Sequence, residues 1–348
     1  MNLDHLSGRQ KQILEIIIND FVETASPVGS KTVSDEISFD VSAATIRNEM
    51  AYLEEIGLIT HPHTSAGRVP TDKGYRYFVD SLNTKNRSVD TSQTGLIAWE
   101  YRQKVKSIEE LIERTSKLLS FLTEQAGIIL SPSQKELVLK RVELIPYSQT
   151  HFLVVWVSTT GVVQNKMVEM DEEIPVEELL RLTRFINSEL HGRNFSEVTD
   201  FLQMKLAAVK DSLFKEYKAA FEIASRIFQA SAERRLYLDG SRFVLKQPEF
   251  QEDTRKARTF FQILETKQTL REACERDFEP GEVRVQIGSE NESEDIWDFT
   301  LITTQYRCQN QPLGTLGVLG PKRMPYGRII PLVDFIARRL SDALDSLV

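Results

Sequence analysis

Between Gly192 and Gly240 the chain runs for 47 residues without a glycine or a proline. Nothing in that stretch has the chemistry of a turn. Leu202, Leu206, Val209, Leu213, Tyr217, Ala220, Ala224 and Ile227 recur through it at spacings of three and four, which is a helical rhythm. One helix of about 40 residues is unusual in a globular domain, so two helices are expected. The flanking sequence keeps a different rhythm. Ahead of the block stand "LVLKRVELIP" (137–146), "HFLVVWVST" (151–159) and "GVVQNKMVEM" (161–170). Behind it stand "EVRVQIG", "DFTLITTQYR" and "LGTLGVLG", between 282 and 320. All six read as strands. Strands on both sides of a helical block predict one α/β domain, residues 95–171 and 253–348, interrupted by a mainly helical insertion at 172–252. The seam of Leu202, Leu206, Val209, Leu213 and Tyr217 is close to a coiled-coil repeat and is the expected dimer contact.

Other helices are expected at 95–126, at "PVEELLRLTRFINSELHG" (175–192), and at the C-terminus, where Ile330, Val333, Ile336, Leu340 and Leu344 share a face. Residues 83–94, "NTKNRSVDTSQT", are polar and read as a linker.

The first 82 residues form a separate unit. Ile13, Leu14, Ile17, Ile18 and Phe21 mark one helix, and Pro27 and Gly29 interrupt it. Ser30 is placed to cap a second helix, and Ser42 a third with Ile46, Met50 and Leu53 inward. "LITHPHTSAGRVPT" then reads as two short extended pieces around a turn of small residues. Three helices and a hairpin in this length describe a winged helix-turn-helix. With Ile46 in the core, a wheel of about 100° per residue turns Ala44, Arg47, Asn48 and Ala51 outward, flanked by Thr45 and Tyr52. Small residues let a helix lie close in a major groove. Arg can donate to guanine O6 and N7, and Asn pairs bidentately with adenine.

Charge distribution bears on that reading. The net charge is −8, and residues 1–82 carry 7 Lys and Arg against 12 Asp and Glu. An acidic total weakens a nucleic-acid reading. Phosphate contacts depend on local fields, however, and Arg68, Lys73 and Arg76 cluster with Asp72 alone between His61 and Tyr77. Thr64, Ser65 and Arg68 are candidates for a wing gripping phosphate or the minor groove. Ser30, Lys31 and Thr32 open the second helix, where backbone N–H groups and a lysine can hold a phosphate. Arg76 is a further candidate for the DNA backbone. The DNA-facing set is therefore Ser30, Lys31, Thr32, Ser42, Ala44, Thr45, Arg47, Asn48, Thr64, Ser65, Arg68 and Arg76.

Other chemistry finds little support. His61-Pro62-His63 lacks a third ligand at metal spacing. "GTLGVLGPKRM" is glycine-rich and basic, but GxxxxGK[ST] is absent, so turn glycines around a strand are the plainer reading. No nucleophile triad, carboxylate pair or nucleotide fingerprint stands out, and neither metal nor cofactor is expected. Two cysteines, Cys274 and Cys308, build no disulfide framework. The most apolar uncharged stretch, His151–Asn165, is broken by polar residues and too short to span a bilayer. The opening MNLDHLSGRQ lacks the basic-then-apolar order of a leader. These features point to the cytoplasm.

"PVGS" (27–30), "SAATIRNEMAYLEEIGLI" (42–59) and "HPHTSAGRVPTDKGYRYFVD" (61–80) together resemble the HrcA family of heat-inducible transcription repressors, as does "LGVLGPKRMPY" (316–326) with the helix after it. The resemblance is dense over the first 80 residues and good over the last 35. Phe21-Val22, where the family tends to have an aromatic followed by Ile, departs mildly. The resemblance implies an α+β multidomain fold: a winged helix (1–82), a linker (83–94), and a GAF-like α/β domain carrying an inserted dimerisation domain. It implies a homodimer on an inverted-repeat operator in double-stranded DNA upstream of chaperone operons, relieved by heat, with the GroE chaperonin as modulator. The alternative is a metabolite-responsive winged-helix regulator whose α/β domain binds a small molecule.

Overall fold

The computed structural model describes all residues except 1–5, 40, 63–66, 83–88, 106, 133–136, 209–213, 229–233, 276–280 and 348. The N-terminal unit is built as its periodicity requires. Helices α1 (Gly8–Thr24), α2 (Ser30–Glu36) and α3 (Ala43–Glu55) precede a minimal wing, β1 (Ile59–Thr60) and β2 (Val69–Pro70), and α4 (Asp72–Ser81) closes it. Ser7 and Gln10 form a capping box on α1. Ile13, Leu14, Ile17, Ile18, Val33, Ile46, Met50 and Leu53 meet in one core. The wing is antiparallel, with Ile59 opposite Pro70. Gly29, not Ser30, is the N-cap of α2, and Ser30 is its first helical residue.

Two helices follow where one was expected: α5 (Thr91–Arg102), capped by Asp90 within the anticipated linker, and α6 (Ile108–Thr123). A left-handed Glu124 ends α6, and the chain turns into β3 (Ala126–Leu130). The expected helix ends at Ala126, and no strand is expected at 127–130, because all five residues of β3 are buried and show no alternation. A meander comes next: β4 (Leu139–Pro146), β5 (His151–Ser158) and β6 (Val163–Glu169). Three helices then follow, α7 (Val176–Leu190), α8 (Phe195–Ala208) and α9 (Phe214–Phe228). Strand β7 (Leu236–Asp239), short helices α10 (Ser241–Val244) and α11 (Pro248–Glu252), and helices α12 (Thr254–Thr266) and α13 (Gln268–Cys274) lead into β8 (Val283–Ile287), β9 (Phe299–Cys308), β10 (Gln311–Pro321) and α14 (Tyr326–Leu347).

The strands sort into two bodies. A five-stranded antiparallel sheet has the order β7-β3-β10-β9-β8. Helices α6 and α14 pack on one face of it, where Ile129, Ile302, Val318, Ile329 and Leu340 join the main core. On the other face, Ile128, Leu130, Phe260, Ile263, Leu270, Phe299 and Leu319 form a second cluster. The arrangement is consistent with the GAF-like expectation. Strands β4, β5 and β6 pair with one another in a separate sheet. Phe152, Val154 and Trp156 point from β5 into a buried layer shared with Leu179, Leu182 and Ile186 of α7. Asn187 ties α7 to β4, donating to the Val142 carbonyl at 2.7 Å and accepting from the Val142 N–H at 2.8 Å.

The insertion therefore begins near residue 137, not 172, and ends before β7, not at 252. Hydrogen bonding decides this boundary: β4–β6 pair with no strand of the five-stranded sheet among the described residues, whereas Leu236 of β7 pairs with Leu130 of β3. The two ends of the insertion meet, the Ser131 N–H donating to the Arg235 carbonyl at 2.8 Å and the Arg235 N–H to the Ser131 hydroxyl at 2.8 Å.

The expected dimer seam is also corrected. Leu202 and Tyr217 are 0% and 4% exposed, and Leu206 is partly buried, because α8 and α9 pack on each other and on the insertion's own sheet. Tyr217 donates to Glu189 at 2.8 Å and meets the Phe185 ring edge-on at 4.8 Å. Val209 and Leu213 lie outside the described residues. For the described residues Leu202, Leu206, Tyr217, Ala220, Ala224 and Ile227, the three-and-four spacing is thus the core face of the α8–α9 pair. Leu202→Ala should cost about 2–5 kcal/mol of stability, read by urea unfolding. Dissociation of subunits without loss of stability would contradict the packing.

Candidate nucleic-acid interface

Helix α3 is fixed in rotation before any DNA is considered. Ile46 and Leu53 are fully buried and Met50 nearly so. Ser42 caps the helix, its hydroxyl accepting from the Thr45 N–H at 3.2 Å. On one flank Glu49 accepts from Gln10 at 2.8 Å and from the Arg9 Nε at 2.9 Å, pinning α3 to α1. Burial raises the Glu49 carboxyl, but the Gln10 hydrogen bond and the Arg9 guanidinium outweigh it, leaving the group below its ordinary range. The opposite side is bare. Ser42, Ala44, Arg47, Asn48 and Ala51 are exposed and Thr45 half-exposed. Asn48 has no hydrogen-bond partner among the described residues. The first turn of α3 holds no carboxylate, leaving its positive dipole end uncompensated.

Neighbouring candidates fall into three groups. Ser30, Lys31 and Thr32 open α2 beside α3, and the Arg47 Nε reaches the Ser30 hydroxyl at 3.4 Å. Lys31 is exposed. Thr64 and Ser65 lie outside the described residues. Arg68 and Arg76 prove to be engaged within the protein. Arg68 stands at the base of the wing, not its tip. Its backbone bridges Val28 through hydrogen bonds of 2.8 and 2.9 Å, and its Nε lies 3.0 Å from Glu54. Glu54 also meets His61, so the histidine the sequence offered to a metal has a carboxylate partner. Arg76 turns away to the α/β domain. Its Nε donates to Glu290 at 2.7 Å, further guanidinium N–H groups reach Glu290 and the Val285 carbonyl, and Asp80 lies at 3.2 Å. The Glu290 carboxylate, outweighing burial, raises the Arg76 pKa above its ordinary value. Arg76 belongs to a domain junction and leaves the DNA-facing set.

That junction holds residues whose role the sequence did not disclose. Asp72, the first residue of α4, accepts from Lys322 at 2.7 Å and from the Ser289 N–H at 3.2 Å. Arg323 donates to the Val22 carbonyl in the last turn of α1 and to Glu249 and Gln247, the last at 2.8 Å. Tyr75 is buried against Tyr326, ring centroids 5.7 Å apart. The basic pair in "GPKRM" was visible as a motif, but its partners are Asp72 and Glu249, more than 70 positions away.

Three helices and a wing, with one face of the third helix bare and an α/β body behind, define a winged-helix DNA-binding regulator. Residues 5–85 match the family described as winged helix-turn-helix transcription repressor, HrcA DNA-binding, and residues 109–330 match the HrcA protein C-terminal domain. The chain is 36% identical to the heat-inducible transcription repressor HrcA of Pelotomaculum thermopropionicum, covering 99% of this chain and 98% of the relative. It is 37% identical to that of Desulfitobacterium hafniense, with 97% and 98% covered. A crystal structure described only as a hypothetical protein at 2.2 Å resolution superposes with a TM-score of 0.67 at 25% identity, over 99% of this chain and 100% of that one. The chain belongs to the HrcA family: it is a heat-inducible transcription repressor that binds DNA through its winged-helix domain, and not an enzyme. Membership favours this over the metabolite-responsive alternative. No helix among the described residues is long and apolar enough to cross a membrane.

The Glu49 contact yields a prediction. A carboxyl depressed in the folded state contributes stability above its unfolded pKa and loses it as pH falls through the folded value. Glu49→Gln should cost about 1 kcal/mol at neutral pH and flatten the acid limb of the stability curve. An unchanged limb in urea titrations across the acid range would refute the contact's role.

Proposed function

We propose that α3 reads one half-site of an inverted repeat through Ala44, Thr45, Arg47 and Asn48, and that two copies of the chain bind together. The observation that carries this is the pairing of a locked inner face, Ile46, Met50 and Leu53, with an exposed outer one bearing Arg47 and an Asn48 that has no hydrogen-bond partner among the described residues. Ser42, with Ser30, Lys31 and Thr32 beside Arg47, supplies hydroxyl, backbone and ammonium donors for flanking phosphates. An inverted repeat demands two recognition helices related by a two-fold axis, hence a dimer.

For the dimer contact, the outer face of the β4–β5–β6 sheet replaces the helical seam. Ile145, Leu153 and Met167 stand in one cross-strand row and Val157 and Val163 in another, with Ile145, Val163 and Met167 exposed. These apolar rows, with Glu143 and Asn165 between them on the same face, suit a protein interface. By resemblance to the family, repression acts on chaperone operons in the cytoplasm, heat relieves it, and the GroE chaperonin sustains the active form.

Arg47→Ala should cost about 1–3 kcal/mol on the chain's preferred site and relax selection at one base pair. Gel-shift titration over single-base variants of the site reads both, and unaltered binding would overturn the assignment. Met167→Glu should shift the chain toward monomer in sedimentation equilibrium, with the winged-helix domain still folded. A persistent dimer would move the contact elsewhere.

A further inference from the structure

The contacts between α4 and the α/β domain join residues more than 200 positions apart, so chain connectivity does not impose them. They are also mutually shaped. Asp72 and Arg76, one turn apart on α4, present opposite charges to consecutive residues of one tight turn: Asp72 takes the Ser289 N–H and Arg76 grips Glu290. Glu290 is held for this by its own backbone, accepting from the Ile287 N–H at 2.8 Å. Gly288 makes the fit possible. Its φ is +53°, a conformation that side-chain-bearing residues avoid, and a Cβ there would stand 2.0 Å from the Asp72 carboxylate. Lys322 closes on Asp72 from a second side, and Arg323 fastens the far end of α1. Two helices of the reading domain are thus gripped at separate points, which fixes orientation as well as position. The recognition face of α3 takes no part and stays open.

We propose that this latch, with Asp72, Arg76, Glu290 and Lys322 as its positioning residues, is a specificity determinant for operator spacing. The inference rests on the paired half-site reading above. Each half-site is read by α3 alone. The distance and angle between the two α3 helices of a dimer are set by how each winged helix docks on its own α/β domain. One added base pair turns the second half-site by about 34° around the duplex. A rigidly latched pair cannot follow that turn, whereas domains tethered only by the chain sample many separations. The latch therefore converts a pair of half-site readers into a reader of one spacing.

The test uses the full-length chain on duplexes carrying its preferred inverted repeat, selected from a random-sequence library. The spacer is lengthened or shortened one base pair at a time, and an isolated half-site serves as a further probe. The wild-type chain should lose at least about tenfold in affinity for each step from the preferred spacing. R76E and E290R should each flatten that profile to within about threefold while binding the isolated half-site as the wild type does. The charge-swapped double variant R76E/E290R should restore the profile, a recovery that general destabilisation would not give. Gly288→Val, which wedges the junction without changing charge, should flatten the profile too, and it keeps the test alive if a charge variant fails to fold. Single variants that retain the full spacing preference would overturn the latch and leave the dimer reading standing. A wild-type chain indifferent to spacing would overturn both.

Discussion

Burial of Ile46, Met50 and Leu53 against α1 is the constraint from which the rest of the reading surface follows. A helix with one face fixed has no rotational freedom, so the directions of Ala44, Arg47 and Asn48 are consequences of its period. Glu49 sharpens the effect by holding the flank of α3 to Arg9 and Gln10. The apolar face supplies the stability and the polar flank supplies the angle. Much of the charge near the DNA-binding domain is paired within the protein: Glu54 with Arg68 and His61, Asp72 with Lys322, and Glu290 with Arg76. The cations left on the reading side, Arg47 and Lys31, face no carboxylate among the described residues.

Much of the winged helix was legible because each of its elements has one wet face and one dry one. Helices α1 and α3 announce themselves through spacing, and Ser42 marks the start of α3. The five-stranded sheet was harder to read. It is covered on both faces, so β3 and most of β10 show unbroken burial and give no alternation. Strand β3 accordingly has no counterpart among the expected elements, and the helix expected before it stops at Ala126. The insertion was detected by its helices but misplaced, since sequence shows that β4–β6 are strands and not which strands they bond to. The same blindness produced the dimer seam. Leu202 and Tyr217 carry the pattern of a helix-packing face, and that pattern is identical whether the partner helix belongs to the same chain or another.

Arg68 and Arg76 show the limit for charged residues. A basic residue beside a wing has the chemistry to hold phosphate, and its sequence neighbours say nothing of a carboxylate 214 positions away. Arg76 lies one turn from Asp72 on α4, an arrangement that reads as a solvated helix face until the 288–290 turn is placed against it. Residues that read DNA are legible from local pattern. Residues that aim the reader depend on tertiary contact and are not.

The place where the insertion joins its host has its own consequence. Strands β3 and β7 are adjacent and antiparallel, and Ser131 and Arg235, 104 positions apart, exchange hydrogen bonds across them. Topologically the pair is a hairpin whose loop happens to be an entire domain. Closing so long a loop as a floppy chain would carry a substantial entropic cost. Once the insert has folded, its two ends already lie together, and uniting β3 with β7 demands little more than a tight turn would. The folded guest thus acts as a clasp that holds β3 and β7 of its host side by side.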